Sequence, residues 1–211
     1  MPNVVKSFNT YKMASKDRIL RQKEETRCNI LDAAYHIVKE EGWLGLNMRK
    51  IADRIEYTAP IIYEYFSNKE AILQEMSRKG FLTLTKDLEA AKNSSQNPEG
   101  QLEAMWMAYW NFATKDKEMY QVMYGVEMTC CCMQKVPEAE APYLLFTKVT
   151  KAVMPENTTD EIIKQKYFTF FAVIHGLVSI NIIGDNLPTE MNKQILKDAI
   201  SGIIRSISVT A

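Results

Sequence analysis

The chain contains 211 residues, a length that fits one large domain or two small ones. Apolar residues make up 46% and charged residues 25%, which excludes a wholly disordered, collagen-like or disulfide-stapled protein. The 26 basic and 26 acidic side chains cancel, and that sum alone would disfavour a nucleic-acid binder. The charge is unevenly distributed, however: residues 1–80 carry 14 basic and 11 acidic side chains, and residues 81–211 carry 12 and 15.

Cysteine usage and the first twenty residues indicate a cytoplasmic protein. The four cysteines, Cys28 and the consecutive Cys130, Cys131 and Cys132, do not form the framework of a secreted protein. Neither the N-terminal residues nor the stretch 167–177 is apolar for long enough to be a signal peptide or a membrane span. We therefore expect no membrane partner.

Apolar residues recur at three- and four-residue spacing along most of the chain, which predicts an all-α fold of about nine helices. The first helix is expected over 15–41 and ends at Gly42, where a left-handed conformation suits glycine. Asn47 is predicted to cap a second helix over 48–55. Thr58 is predicted to cap a third over 59–66, and Ser67 or Asn68 a fourth that runs to residue 92.

The second half begins after a loop at 93–98, the strongest turn signal in the chain. Further helices are expected at about 99–114, 116–133, 137–153, 159–183 and 188–208. We predict an N-terminal domain over 1–72, including a basic arm at 1–16, and a C-terminal helical domain over 73–211.

Two short helices joined by a tight turn, at 48–55 and 59–66, have the organisation of a helix-turn-helix. Residues 26–73 resemble the N-terminal domain of the TetR family of bacterial transcriptional regulators. The segments that carry this resemblance are Ile30-Leu31-Asp32-Ala33-Ala34, Glu41-Gly42, Met48-Arg49-Lys50-Ile51-Ala52 and Tyr63-Glu64-Tyr65-Phe66-Ser67-Asn68-Lys69-Glu70. The resemblance implies a DNA-binding domain followed by a helical domain that binds a ligand and dimerises.

The resemblance also implies a role for individual residues. It places the Tyr63 hydroxyl and the Lys69 ammonium on DNA phosphates. The start of the first short helix favours a phosphate through its backbone N–H groups and positive charge; the residues there are Asn47, Arg49 and Lys50. The start of the second would face base edges through Thr58, Ala59 and Ile61.

Three residues depart from the family pattern. Glu56 occupies a position where glycine is usual, in a turn that tends to demand a left-handed backbone. Tyr57 replaces a common valine. Glu64 puts an acid in the second short helix, where it either accepts a hydrogen bond from a cytosine amino group or points to solvent. These departures bear on base preference more than on DNA binding.

The basic arm has two interpretations. Residues 1–30 carry seven basic and three acidic side chains. The arm either follows the phosphate backbone or minor groove of DNA, or is a solvated tail.

Large and adaptable side chains concentrate between residues 105 and 133, as in the lining of many ligand pockets. By resemblance to the family we expect a pocket for a small apolar or aromatic effector, formed by Trp106, Tyr109, Trp110, Tyr120, Met123, Tyr124, Phe171 and His175. The alternative is that these residues form an ordinary hydrophobic core.

The three consecutive cysteines have several interpretations. Consecutive helical positions point about 100° apart, so these thiols cannot converge on one metal ion without partners from elsewhere. A redox-sensing thiol, a small buried hydrophobe and an incidental surface thiol remain as alternatives. The sequence predicts no metal site and no cofactor.

The helix over 159–183 is apolar on more than one face, which indicates a partner. We expect a homodimer interface formed by the last two helices through Phe170, Ile174, Leu177, Val178, Ile200, Ile203 and Ile204. A symmetric dimer would read a pseudo-palindromic operator in two successive major grooves.

The sequence therefore predicts a homodimeric transcriptional regulator, a repressor that a small molecule releases from double-stranded DNA. The alternative is a DNA-binding protein of the same family that takes no small-molecule ligand and acts through protein partners. We expect no enzymatic activity, because no nucleophile–base pair or metal-ligand spacing occurs.

Overall fold

A computed structural model describes residues 3–125, 136–183 and 187–208, and within these ranges all the regular elements are helical. The helices are α1 Asn3–Glu41, α2 Met48–Arg54, α3 Ala59–Tyr65, α4 Lys69–Lys92, α5 Pro98–Lys115, α6 Lys117–Tyr124, α7 Glu140–Val153, α8 Asp160–Ile183 and α9 Thr189–Ser208. Short 3₁₀ helices cover Trp43–Gly45 and Pro137–Ala139. The all-α prediction is confirmed. None of these helices is both long enough and apolar enough to span a bilayer.

The chain divides into two compact units, Met1–Met76 and Ser77–Ala211. In the first unit, α2 packs against both α1 and α3. The spacing of apolar residues predicts inward faces for these helices, and most of those side chains are buried: Ile30, Ala34, Ile37, Val38, Ile51, Ala52, Ile62 and Phe66. Ile55, also expected to face inward, is half-buried.

Side-chain and backbone signals define the helix ends in the first unit. The Asn47 side chain accepts a hydrogen bond from the Lys50 backbone N–H at 3.0 Å, and Asn68 accepts one from Ala71 at 2.8 Å. Gly42 has φ 73° and ψ 168°, a region open almost only to glycine. Thr58 occupies the N-cap position of α3, but its side chain makes no capping hydrogen bond.

The turn between α2 and α3 is a Schellman motif. The Tyr57 N–H donates to the Ala52 carbonyl at 2.9 Å, and the Glu56 N–H donates to Asp53 at 3.4 Å. Glu56 is left-handed, with φ 59°, as the comparison with the family pattern indicated. Because of this closure, only three residues separate the C-cap of α2, Ile55, from the first residue of α3, Ala59.

The core of the second unit surrounds Trp106 of α5. Its indole is fully buried and lies between two stacked rings, Phe146 of α7 at 3.8 Å and Phe170 of α8 at 5.2 Å between centroids. Leu196 and Ile200 of α9 belong to the same core. One continuous set of apolar contacts therefore joins α5, α7, α8 and α9.

Two predicted helix bounds are wrong. The first helix begins at Asn3 and not at residue 15, so the segment predicted as an arm is helical from Asn3 onward. The helix predicted over 116–133 ends at Tyr124, because Gly125 takes an extended ψ of 138°. Cys130, Cys131 and Cys132 lie outside the described residues.

We expect Glu56→Gly to stabilise the first unit. A non-glycine residue in the left-handed region destabilises the folded state by roughly 1–2 kcal/mol. Glycine removes this strain, but it loses more backbone entropy on folding, which offsets about 0.5–1 kcal/mol of the gain. The net gain is about 0.5–1 kcal/mol, measurable as a higher thermal midpoint.

Glu64→Gly is the matched control. It removes the same side chain from an exposed position inside α3, and we expect it to lower the midpoint. A lower midpoint for Glu56→Gly as well would contradict the role assigned to the turn.

Candidate DNA interface and ligand site

The eight predicted DNA-binding residues all lie in the first unit, on or beside α2, α3 and the start of α4. Asn47, Arg49, Lys50, Thr58 and Tyr63 are exposed, and Ala59, Ile61 and Lys69 are half-buried. The Tyr63 side chain is 54% exposed although its ring is apolar. An exposed tyrosine offers a hydroxyl that can donate to an anionic oxygen.

The three basic side chains of α2 differ in how they are paired. The Lys50 ammonium bonds to the Glu41 carboxylate and also donates to the Gly45 carbonyl at 3.3 Å. The Arg54 guanidinium bonds to both Glu40 oxygens, at 2.6 and 2.8 Å. Within the described residues Arg49 has no carboxylate partner, so its charge is the most available of the three.

Gly45 allows the Lys50 contact to form. A Cβ at this position would lie 2.7 Å from the Glu41 Cβ, so only glycine lets the short 3₁₀ helix approach the end of α1 so closely. The sequence did not indicate this ion pair, because Glu41 and Lys50 lie on different helices. A phosphate at Lys50 would have to compete with Glu41.

Lys69 is held in place by the segment before α2. Its ammonium donates to the Leu44 carbonyl at 3.3 Å and lies 5.4 Å from the centre of the Trp43 ring. Trp43 is a residue that sequence reasoning missed; its position directly after Gly42 was the available signal. The contact limits the conformations of a cation predicted to meet phosphate.

The residues predicted to line a ligand pocket come together in the second unit. His175 stacks on Phe171 at 5.2 Å, and Tyr124 lies between Tyr120 at 4.8 Å and Phe171 at 5.8 Å, all between centroids. Tyr109 and Trp106 continue the cluster. We call this group, with the buried Met123, the aromatic cluster.

A chain of hydrogen bonds crosses the aromatic cluster. The hydroxyls of Tyr109 and Tyr120 are 3.1 Å apart, and the Tyr120 hydroxyl lies 2.5 Å from Nδ1 of His175. Burial raises the pKa of both phenols well above the ordinary value of 10.0 and lowers the pKa of half-buried His175 from 6.5. All three groups are therefore uncharged near neutral pH.

Four members of the aromatic cluster are almost fully buried: Trp106, Tyr109, Tyr120 and Met123 are each at most 2% exposed. The other three, Tyr124, Phe171 and His175, are half-buried. A cavity of about 460 Å³ lies elsewhere in the second unit and shares only Trp110 with the predicted pocket. The sequence analysis did not identify the polar lining of this cavity. The available signal was a buried asparagine in each of the last two helices, Asn181 in α8 and Asn192 in α9.

Most of the predicted dimer contacts are buried within one chain. Phe170, Ile174, Leu177, Val178 and Ile200 are at most 5% exposed, because they pack into the core around Trp106; Ile203 and Ile204 are half-buried. The five buried side chains cannot reach a second copy. Other apolar side chains of α8 and α9 are exposed: Ile162, Phe168, Val173, Ile180, Met191 and Ile195.

Comparison with known proteins agrees with the geometry of the first unit. Residues 30–76, which span α2, α3 and their packing partners, match the family model of bacterial regulatory proteins of the tetR family. Residues 30–76 therefore form a DNA-binding domain of the TetR family. The first unit carries the family's helix-turn-helix, closed by the Schellman turn at Glu56.

The similarity to individual proteins extends over most of the chain. The HTH-type transcriptional activator FasR of Mycolicibacterium smegmatis is 23% identical over 185 residues, covering 87% of this chain and 81% of FasR. A protein of unknown function from Rhodococcus sp. RHA1 has a TM-score of 0.72 at 22% identity, with 86% and 95% of the chains covered. The fatty acid degradation regulator FadR of Bacillus halodurans has a TM-score of 0.61 at 20% identity, with 82% and 94% covered. Both structures share the fold of this chain.

Stability should depend on pH through His175. Because its pKa is lowered on folding, the unfolded chain binds more protons below pH 6.5, and the free energy of unfolding falls as the pH drops. The contribution is fully present above about pH 6.5. We expect the thermal midpoint to fall less between pH 7.5 and pH 5 in His175→Gln than in the wild type.

The exposed His36 provides the control, since it is the other histidine of the chain and lies in the first unit. His36→Gln should retain the wild-type loss of midpoint on acidification. An equal loss in His175→Gln and the wild type would contradict the role given to His175.

Proposed function

We propose that this TetR-family regulator binds a pseudo-palindromic operator as a homodimer and that a small molecule releases it. The observation that supports DNA reading most directly is the pair α2 and α3, joined by the Schellman turn, with Arg49 and Tyr63 exposed beside it. In a helix-turn-helix the N-terminal part of the second helix enters the major groove. Here that part is Thr58–Ile61.

The proposed contacts fall into two classes. Arg49, Tyr63 and Lys69 would bind phosphates, which fixes the position of the protein on DNA without reading sequence. Thr58, Ala59 and Ile61 would meet base edges, and the two apolar residues are best suited to thymine methyl groups. Asn47 caps α2 and orients its first N–H groups toward a phosphate.

The dimer interface we propose uses the exposed apolar faces of α8 and α9. At about 100° per residue, Ile162, Val173 and Ile180 fall within one narrow stripe of α8, and all three are exposed. Gly176 lies in the same stripe, with open space around its position. Met191 and Ile195 form the matching stripe on α9, beside Gly202, which is equally open. Family members typically dimerise, and a second copy would cover both stripes.

We propose that the protein acts as a repressor. A bound regulator can block a promoter simply by occupying the operator, whereas an activator also needs a surface that contacts RNA polymerase. FasR is named an activator, so the direction of regulation has to be measured for this chain. The test is a fusion of the regulated promoter to a reporter gene. Reporter expression should rise when the gene of this regulator is deleted. A chromosomal regulator acts in the cytoplasm, and we propose that location.

A regulator that acts through protein partners alone is the competing proposal. The cavity of about 460 Å³ in the second unit favours a small-molecule ligand over this alternative.

Arg49→Ala and Tyr63→Phe should weaken binding to every DNA sequence. Each removes a proposed phosphate interaction. Arg49→Ala also removes a cation, so the slope of log affinity against log salt should become shallower by about one, whereas Tyr63→Phe removes an uncharged hydroxyl and should leave the slope unchanged. Ile61→Ala should instead change the preference among sequences. Fluorescence anisotropy on a randomised duplex, followed by sequencing of selected fragments, measures both effects.

Lys86→Ala is the control, because Lys86 is an exposed cation of α4 in the second unit. It should bind DNA as the wild type does. A wild-type protein without salt-sensitive DNA affinity at low ionic strength would refute the proposal.

Val173→Glu and Ile180→Glu should convert the dimer to a monomer. Two-fold symmetry places each new carboxylate in the interface twice, where it has no partner and burial is costly. Light scattering after size exclusion should show the mass falling from twice 24.3 kDa to 24.3 kDa.

Phe168→Glu is the matched control, an exposed apolar residue of α8 about 120° around the helix from Ile180. It should remain dimeric. If the Val173 and Ile180 variants also remained dimeric, the proposed interface would be wrong.

A further inference from the structure

The cavity of about 460 Å³ has a fixed polar wall where α8 meets α9. Asn181 and Asn192 are 5% and 8% exposed and exchange two hydrogen bonds of 2.9 Å. Their remaining amide hydrogens go to the Leu177 carbonyl at 2.8 Å and the Leu187 carbonyl at 3.0 Å. All four amide N–H donors are used, so the wall is ordered before any ligand arrives.

In the part of the chain that the structure describes, two charged side chains line this cavity, Lys117 and Lys193, and both are basic. Lys117 donates to the Asn181 carbonyl at 3.1 Å. Lys193 pairs with Glu190 at 2.8 Å, but both side chains are mostly exposed, and such pairs are weak in water. An anionic group entering the cavity would be attracted by both ammonium groups.

Apolar side chains also line the cavity. They are Met107 and Trp110 of α5 and Leu187 before α9. The Trp110 indole is 8% exposed and has flat faces, and methionine adapts to irregular shapes. The hydroxyl of Thr114 is bonded to the Trp110 carbonyl at 2.8 Å. The lining of the cavity therefore combines cationic, amide and apolar side chains.

We propose that this cavity binds a small molecule that carries an anionic group on a flat apolar body. The anionic group, a carboxylate or a phosphate, lies near Lys117 and Lys193, and the apolar body packs on Trp110 and Met107. The cavity shares no lining residue with the aromatic cluster. This inference names the chemical class of the effector proposed above, and its role in regulation rests on that proposed function.

Three probes with the same ring system test the proposal on the full-length protein without DNA: 2-naphthoate, 2-naphthyl phosphate and the neutral 2-naphthalenemethanol. Calorimetric titration should show at least one anion binding about tenfold or more tighter than the alcohol, the size of one charge-assisted hydrogen bond. The anion that binds more tightly then shows whether the cavity prefers a carboxylate or a phosphate. Equal affinity for all three probes, or no binding of either anion, would overturn the proposal.

Variants locate the binding. Lys193→Met removes a cavity cation at an exposed position and should weaken binding of the anion about tenfold, while leaving the alcohol unchanged. Lys117→Met should act in the same direction. Lys164→Met, an exposed lysine of α8 outside the cavity, should bind as the wild type does.

Wild-type affinity in both cavity variants would overturn the assignment. Because DNA is absent from this experiment, its failure leaves the DNA-binding proposal intact. Failure of the salt-dependence experiment would likewise leave the binding result valid.

Discussion

The second unit depends on the burial of a single indole. Trp106 lies between Phe146 and Phe170, so one side chain of α5 holds α7 and α8 in register, and α9 packs on the same core. Removing a buried tryptophan typically costs about 3–5 kcal/mol, a large part of the stability of a domain. The indole Nε1 has no hydrogen-bond partner within the described residues. The gain from stacking and apolar burial must exceed the cost of that unpaired donor.

This packing explains why the residues that suggested a ligand pocket lie in the hydrophobic core or against it. Aromatic side chains bury large areas and prefer edge-to-face or offset contacts, which Tyr109, Tyr120 and Tyr124 satisfy with one another. The polar ends of these rings are satisfied internally, through the Tyr120 hydroxyl and His175.

Local features of this chain were predictable from sequence. The sequence did not show, however, which apolar face of α8 packs into the core and which is exposed. The caps at Asn47 and Asn68 and the left-handed Glu56 follow from nearby residues, and the structure confirms them. The 3.6-residue period shows that α8 is apolar on more than one side, but does not show which side its own chain covers. The predicted interface therefore named inward residues such as Phe170 and Ile174. The Lys50–Glu41 and Asn181–Asn192 contacts join different helices, and no periodicity indicates them.

The buried rings of the aromatic cluster and the preformed cavity make different demands on an effector. A ligand that entered the aromatic cluster would have to displace packed rings, and its apparent affinity would fall in proportion to how rarely the open state is populated. A ligand of the cavity meets a wall that is already ordered. Regulation, however, needs a difference in affinity between the DNA-bound and released states, and tight binding to both would shift nothing. An effector in the cavity would therefore control DNA binding only if the α8–α9 contact made by Asn181 and Asn192 differed between those two states.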